Sequence, residues 1–282
     1  MDVTRGWTEL GRIVELALAE DLGEEGDITS QAVFFRGEMG AARVIAREAC
    51  TISGLEAAAE TCRQVDSDLA WMALVEAGQD VPAGAEVARL EGKLLSILAA
   101  ERTLLNFLAR LSGIATLTRR YVDALEGSRS RVAATRKTSP GMRYLEKQAV
   151  LHGGGETHRA GLYDAVLIKD NHIAAAGGVN GAVRAVRDAL GGETPIEVEV
   201  DTPVQLEEAL AAGVEAVLLD NMEPERVRDC VESASGRALV EASGGITLEN
   251  VRAYAEAGAE VISAGALTNA AAAVDLSLEV VS

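Results

Sequence analysis

From residue 196 onward the chain repeats one pattern: a short run of branched or apolar residues, then a stretch of helical spacing. The runs are Ile196-Glu197-Val198-Glu199-Val200, Ala216-Val217-Leu218-Leu219, Ala238-Leu239-Val240 and Val261-Ile262-Ser263, with starts 20, 22 and 23 residues apart. Two earlier runs, Val132-Ala133-Ala134 and Ala165-Val166-Leu167-Ile168, precede them. A strand that feeds a helix and then another strand pairs in parallel through a right-handed crossover. Thr202-Pro203, Glu223-Pro224 and Thr247 before Leu248-Glu249-Asn250 mark helix starts between the strands. Six strands, with a seventh expected around Val179 or inside the stretch before Ile173, favour a barrel or incomplete barrel. No dinucleotide glycine fingerprint or Walker loop supports an open sheet instead.

The first part of the chain has no such repeat. Residues 8–20 carry an amphipathic helical pattern, and Leu55 to Val65 another. Residues 41–48, 69–76 and Val87 to Leu90 read as strands, with Gly78 to Gly84 as a turn among them. A long helical region from Leu94 to Leu125 is expected to break near Gly113. With 282 residues, 48% of them hydrophobic, the chain can bury a barrel-sized core and a smaller one. The expected fold class is α/β, with domains at 1–114 and 115–274. Whether the strand-like run at 276–281, in the remaining segment 275–282, returns to the first domain is open.

Charge narrows the function. The chain carries a formal −18, which argues against nucleic acid and anionic membranes as partners, since both need a broad basic surface. No apolar run is long enough to span a membrane, and Met1-Asp2-Val3-Thr4 is not a signal peptide. Three cysteines (Cys50, Cys62, Cys230) without metal-ligand spacing fit reduced thiols, so a cytoplasmic location is expected. Against this acidity, residues 129–172 hold eight Lys/Arg and four Asp/Glu, a local +4. A concentrated basic segment in an acidic protein reads as a pocket for a small polyanion.

The residues at the end of each strand complete that pocket. Arg136 and Lys137 come after the first run, Lys169 and Asp170 after the second, Glu199 and Asp201 end the third, and Asp220-Asn221 the fourth. Ser243-Gly244-Gly245 and Ala264-Gly265-Ala266 come after the last two. In a parallel barrel these positions converge on the C-terminal rim, where active sites sit. Each glycine turn alone is an ordinary connection; as a pair after late strands they suit a phosphate, whose oxygens accept backbone N–H. Glu199 and Asp220 suit a divalent ion such as Mg2+, held directly or through its waters. Glu197 points the same way as Glu199 by period two, so pattern alone does not choose between them. Arg136 and Arg159 offer bidentate forks for carboxylates, whereas Lys137 and Lys169 act as point charges on phosphates. His152 and His172 read as structural; His158 stands apart because Arg159 adjoins it.

Thr135-Arg136-Lys137-Thr138-Ser139-Pro140-Gly141, His158-Arg159, Leu167-Ile168-Lys169-Asp170-Asn171-His172, Glu197-Val198-Glu199, Leu219-Asp220-Asn221, Glu241-Ala242-Ser243-Gly244-Gly245-Ile246 and Ser263-Ala264-Gly265-Ala266-Leu267-Thr268 together resemble the quinolinate phosphoribosyltransferase family. Glu20-Asp21-Leu22-Gly23, Asp27-Ile28-Thr29-Ser30 and Glu101-Arg102-Thr103-Leu104-Leu105-Asn106 extend the likeness over nearly the whole chain. Ser139, where the family often has Thr, and Ala264, where Gly or Val is common, are small departures. The resemblance implies an incomplete (β/α) barrel with an N-terminal α/β open-faced sandwich domain that covers the neighbouring active site. It implies transfer of phosphoribose from phosphoribosyl pyrophosphate to quinolinate with loss of CO2, using Mg2+, as a step of de novo NAD biosynthesis. It also implies a homodimer, or a higher oligomer, whose sites are shared. By that likeness Arg102 is donated by the neighbouring subunit. Arg136, His158, Arg159 and Lys137 bind the two quinolinate carboxylates, and Thr135 is a further substrate-binding residue. Lys137, Lys169, Glu199 and Asp220 surround ribose, pyrophosphate and metal and carry the catalysis, and Ser243, Gly244, Gly245, Ala264, Gly265 and Ala266 hold the 5′-phosphate. Other readings of the same residues are a relative acting on a different acid, a barrel isomerase sharing the phosphate turns, and a non-catalytic phosphosugar binder.

Overall fold

The computed structural model describes residues 3–281, and the chain divides into two compact units. Met1–Arg119, Thr138–Gly154 and Ala270–Ser282 form the first, and Arg120–Lys137 and Gly155–Asn269 the second. In chain order, the elements begin with α1 (Val3–Leu22), α2 (Ile28–Val33), β1 (Met39–Ala46), β2 (Cys50–Thr51), α3 (Leu55–Val65) and β3 (Ala70–Ala73). β4 (Asp80–Val81), β5 (Glu86–Lys93), α4 (Leu94–Ala124), β6 (Arg131–Ala134), α5 (Arg143–His152) and β7 (Glu156–Thr157) follow. Next come β8 (Val166–Ile168), α6 (Asp170–Ala175), α7 (Val179–Leu190), β9 (Ile196–Val200), α8 (Pro203–Ala211) and β10 (Ala216–Asp220). The chain closes with α9 (Pro224–Ala234), β11 (Leu239–Ser243), α10 (Val251–Glu256), β12 (Val261–Ser263), α11 (Ala266–Asn269) and β13 (Leu276–Val281).

The first unit is an antiparallel sheet in the order β13-β1-β5-β3, covered on one face. Alternation assigns the faces. Ala42, Val44 and Ala46 of β1 and Leu90 of β5 are buried in one core with Ile97, Leu104 and Leu108 of α4 and Ala58 and Cys62 of α3. The alternate positions Arg43 and Glu279 meet in an exposed ion pair at 3.1 Å. Each fully buried Val or Leu contributes about 1.5–3 kcal/mol, and the exposed pair at most about 1 kcal/mol, so the helix-covered face holds the sheet. α1 turns Leu10, Val14 and Leu18 inward at four-residue spacing and packs on α3.

α4 runs unbroken for 31 residues, so the break expected near Gly113 does not occur. Gly113 serves a close approach instead: a Cβ there would lie 2.0 Å from the carbonyl oxygen of Ala272. The glycine lets the segment before β13 lie directly on the helix, where Val274 N–H donates to Ala109 O at 3.1 Å. Gly113→Ala gains up to about 1 kcal/mol of helix propensity but must displace backbone, and a net loss of about 2–3 kcal/mol is expected. Urea unfolding measures it; an equally stable or more stable variant would refute the close-approach account.

The second unit is a seven-stranded parallel sheet in the order β7-β6-β12-β11-β10-β9-β8. Among the described residues no pairing joins β7 to β8, so the barrel is incomplete. The seventh strand is β7, within the basic stretch, while Val179 begins α7. Val198, Val200, Val217, Leu219, Ala242 and Ile262 are all fully buried on one side of the sheet. By the pleat, the opposite side carries Glu197 and Glu199, Leu218 and Asp220, Glu241 and Ser243, and Ser263. Pro203 and Pro224 open α8 and α9, and Thr202 caps α8 by accepting from Gln205 N–H. Thr247 does not start its helix; it lies in a turn where its N–H donates to Asn250 Oδ1, and α10 begins at Val251. No described helix is long and apolar enough to cross a membrane. Cys50, Cys62 and Cys230 are buried and free, and burial pushes the Cys62 thiol up to about 12.

Candidate active site

The strand ends of the second unit bring most of the expected residues into contact. β10 and β11 run in register so that Asp220 lies opposite Ser243, and β11 and β12 so that Ser243 lies opposite Ser263. Asn221 N–H donates to Ser243 O at 2.9 Å, while Asn221 Nδ2 donates to the Asp220 carboxylate at 2.7 Å. That tight corner dictates its glycine. Gly244 has φ +90°, and a Cβ there would lie 2.2 Å from Asn221 Oδ1.

The second glycine turn is bound to the segment after β6. Thr268 Oγ1 donates to Lys137 O at 2.7 Å, and Lys137 N–H donates to Thr135 Oγ1 at 3.0 Å. A Cβ on Gly265 would meet Lys137 Cδ at 3.0 Å and Thr135 Oγ1 at 3.6 Å. The Lys137 side chain therefore passes over Gly265, and the residue is exposed.

Lys169, at the end of β8, pairs with Glu199 of β9. Its backbone N–H donates to His172 Nδ1 at 2.9 Å, which fixes the turn into α6. Glu197, the alternative left open by the pattern, goes elsewhere: it meets His158 Nε2 at 2.7 Å. Arg136 and Arg159 are half-buried. Arg136 Nε is buried without a hydrogen-bond partner. Burial and the adjacent Arg136 charge hold the Arg159 guanidinium below its usual range, against the pull of Glu197, Asp164 and Glu199. Two guanidiniums at close range are an arrangement that a dianion relieves.

Two features depart from a simple inventory. Both ring nitrogens of His158 are engaged, Nε2 with Glu197 and Nδ1 as acceptor of the Arg159 N–H at 2.8 Å. Glu241, absent from the expected set, lies 3% exposed with its carboxylate 3.7 Å from His158 Nε2. Burial, then Glu197, push Glu241 up to about 7, against the pull of His158. The signal that could have found it is a lone carboxylate inside an otherwise apolar barrel strand. Arg102 is exposed, on the part of α4 that belongs to the first unit.

Comparison with known proteins decides the family. Residues 27–112 match the model of the quinolinate phosphoribosyl transferase N-terminal domain, and residues 114–279 that of its C-terminal domain. The chain belongs to the quinolinate phosphoribosyltransferase family. Family members of high similarity include a Methanothermobacter thermautotrophicus protein named probable nicotinate-nucleotide pyrophosphorylase (carboxylating), 44% identical over 95% of this chain and 98% of its own. The nicotinate-nucleotide pyrophosphorylase (carboxylating) of Mycobacterium leprae is 41% identical over 94% of this chain and 95% of its own. Among solved structures, the nicotinate-nucleotide pyrophosphorylase of Francisella tularensis superposes with a TM-score of 0.93 at 40% identity, covering 97% of this chain and 96% of that one. The likeness of this family member spans both units, so the sandwich and the incomplete barrel are the family's fold.

Proposed function

We propose that the protein transfers phosphoribose from phosphoribosyl pyrophosphate to the ring nitrogen of quinolinate and releases CO2 and pyrophosphate, leaving nicotinate mononucleotide, as a step of NAD biosynthesis. The observation that carries the reading is Arg136 with Arg159, two half-buried guanidiniums near enough that the charge of one acts on the other, with the Arg136 Nε buried and unpartnered. A pyridine dicarboxylate carries two carboxylates, each matched to a guanidinium fork. Family membership names the same acid.

In this reading Arg136 and Arg159 clamp the two carboxylates, with His158 behind Arg159. Thr135, Lys137 and the turns Ser243–Gly245 and Ala264–Ala266 hold the 5′-phosphate and the neighbouring pyrophosphate. Loss of pyrophosphate leaves positive charge on the ribose, which Glu199 and Asp220 favour, while Lys169 and Lys137 meet the negative charge on the leaving group. Once the ring nitrogen bears the ribose it is cationic. The C2–carboxylate bond then breaks with its electron pair left on C2 beside that nitrogen, and C2 takes up a proton as CO2 departs. Glu199 and Asp220 offer oxygen donors at the ends of adjacent strands, a set that fits a hard divalent ion, Mg2+. Such an ion would add charge neutralisation at the pyrophosphate. Arg102 completes the clamp from a second copy in a homodimer, with higher assembly as an extension of that arrangement. Three buried free thiols support a reducing, cytoplasmic setting.

The test is direct. Incubation with quinolinate, phosphoribosyl pyrophosphate and Mg2+ should release CO2 and pyrophosphate in equal amounts. Neither product would reject the reading, and pyrophosphate without CO2 would point to a different acid.

A further inference from the structure

Asn221, directly after β10, stands in a conformation that only two residues other than glycine adopt among the described residues. Its φ is +54°, and Ser235 shares the left-handed region at +48°. Ser235 is the C-cap of α9, a place where a left-handed residue commonly ends a helix. Asn221 follows a strand instead, at the rim that carries the candidate site. A left-handed residue with a Cβ costs energy, least for Asn and Asp, and persists where its surroundings hold it.

Three contacts hold this one. Its N–H donates to Ser243 O at 2.9 Å, just past the point where Asp220 lies opposite Ser243. Its Nδ2 donates to Asp220 Oδ2 at 2.7 Å. Its amide lies against Gly244, so close that a Cβ on that glycine would stand 2.2 Å from Oδ1 and 2.6 Å from Cγ. The amide is therefore wedged between the carboxylate at one strand end and the glycine turn at the next. A carboxylate turns easily about its last bond, and a donor fixed on one oxygen sets the direction of the other. Here the donor is itself fixed, by the left-handed backbone on one side and by Gly244 on the other.

We propose that Asn221 is a positioning residue for phosphoribosyl pyrophosphate: its amide aims the Asp220 carboxylate and braces the Ser243–Gly245 turn, so that the group at the ribose and the cradle of the 5′-phosphate keep one spacing. The assignment deepens the phosphoribosyl-transfer reading and rests on it. A residue needed only to turn the chain would be served as well by glycine, which takes a positive φ readily. The proposal requires the side chain.

Two variants separate the side chain from the turn. Asn221→Gly keeps the left-handed backbone and removes the amide. Asn221→Asp keeps the size and the tolerance of that backbone, and replaces the donor by a second carboxylate beside Asp220. Both should unfold in urea within about 0.3 M of the unaltered midpoint. Calorimetric titration with phosphoribosyl pyrophosphate and Mg2+, without quinolinate, should show a Kd raised more than about fivefold in each, to roughly tenfold, as for a lost partner of a ligating carboxylate. The KM for phosphoribosyl pyrophosphate should rise with it, while the quinolinate KM stays within about threefold. An Asn221→Gly protein whose Kd rises by less than about fivefold makes Asn221 a turn residue and overturns the proposal. An aspartate variant that binds normally while the glycine variant does not is equally fatal, since a loosened backbone would then be the cause. A midpoint that falls further, or a quinolinate KM that rises as much, makes the amide a support of the fold and rejects the assignment as well. If both variants weaken binding as expected but quinolinate is not turned over by the unaltered protein, the choice of acid fails and the role of Asn221 stands. An unaltered protein that does not bind phosphoribosyl pyrophosphate overturns both.

Discussion

Lys169→Ala is expected to lower kcat by about 100- to 1000-fold while shifting the thermal unfolding midpoint by no more than about 2 °C. The asymmetry follows from where the side chain lies. Its side chain is 42% exposed and pairs with that of Glu199, 11% exposed, so the pair contributes at most about 1 kcal/mol to folding. The backbone N–H that anchors the turn to His172 survives the substitution. At the reacting centre the same charge meets negative charge building on the leaving group, an interaction made chiefly in the transition state. Steady-state kinetics beside a melting curve check it. Unchanged turnover would remove Lys169 from the machinery, and a collapse of the melting temperature would make it structural.

Arg136→Lys should reduce kcat/KM for quinolinate by about 10- to 100-fold and leave the KM for phosphoribosyl pyrophosphate within about threefold. Lysine keeps the charge but loses the fork, and with it the Nε that is buried without a partner. It also offers a more strongly hydrated cation to a half-buried position beside Arg159, which raises the cost of holding it there. The informative comparison is a monocarboxylate competitor. The ratio of quinolinate to nicotinate affinity should fall in the variant, since one arm of the clamp is weakened. An unaltered ratio would assign Arg136 elsewhere.

The barrel strands were legible because each carries apolar residues toward the helices and ends on a polar residue at one rim, and both signals survive in a single sequence. β7 was not, for a two-residue strand has no period to detect. Gly113 shows the opposite error: a glycine in a helical pattern reads as a breaker, while its reason lay in a segment some 160 residues away. The basic segment was informative, but its charges do not all belong to one unit. Lys147 and Glu146 are buried in α5 of the first unit, Glu146 pairs with Arg110, and Arg131 pairs with Glu156. Charge density along a chain does not say which charges share a surface. Glu241 escaped for a related reason, because the carboxyl it lies near, Glu197, belongs to β9, two strands away across β10. Glu197 and Glu199 point to the same side with different partners, which alternation cannot reveal and registry can.

The last strand has a consequence for how the chain comes to be folded. β1 ends at Ala46, and the strand that covers its edge begins at Leu276, so about 230 residues intervene between the two halves of that pairing. During synthesis the open side of β1 is a strand edge awaiting a partner that does not yet exist, while the whole second unit is made in between. Such an edge invites pairing with other nascent chains, and the wait lengthens wherever translation slows. The sheet that folds from the earliest residues is thus the last to be finished.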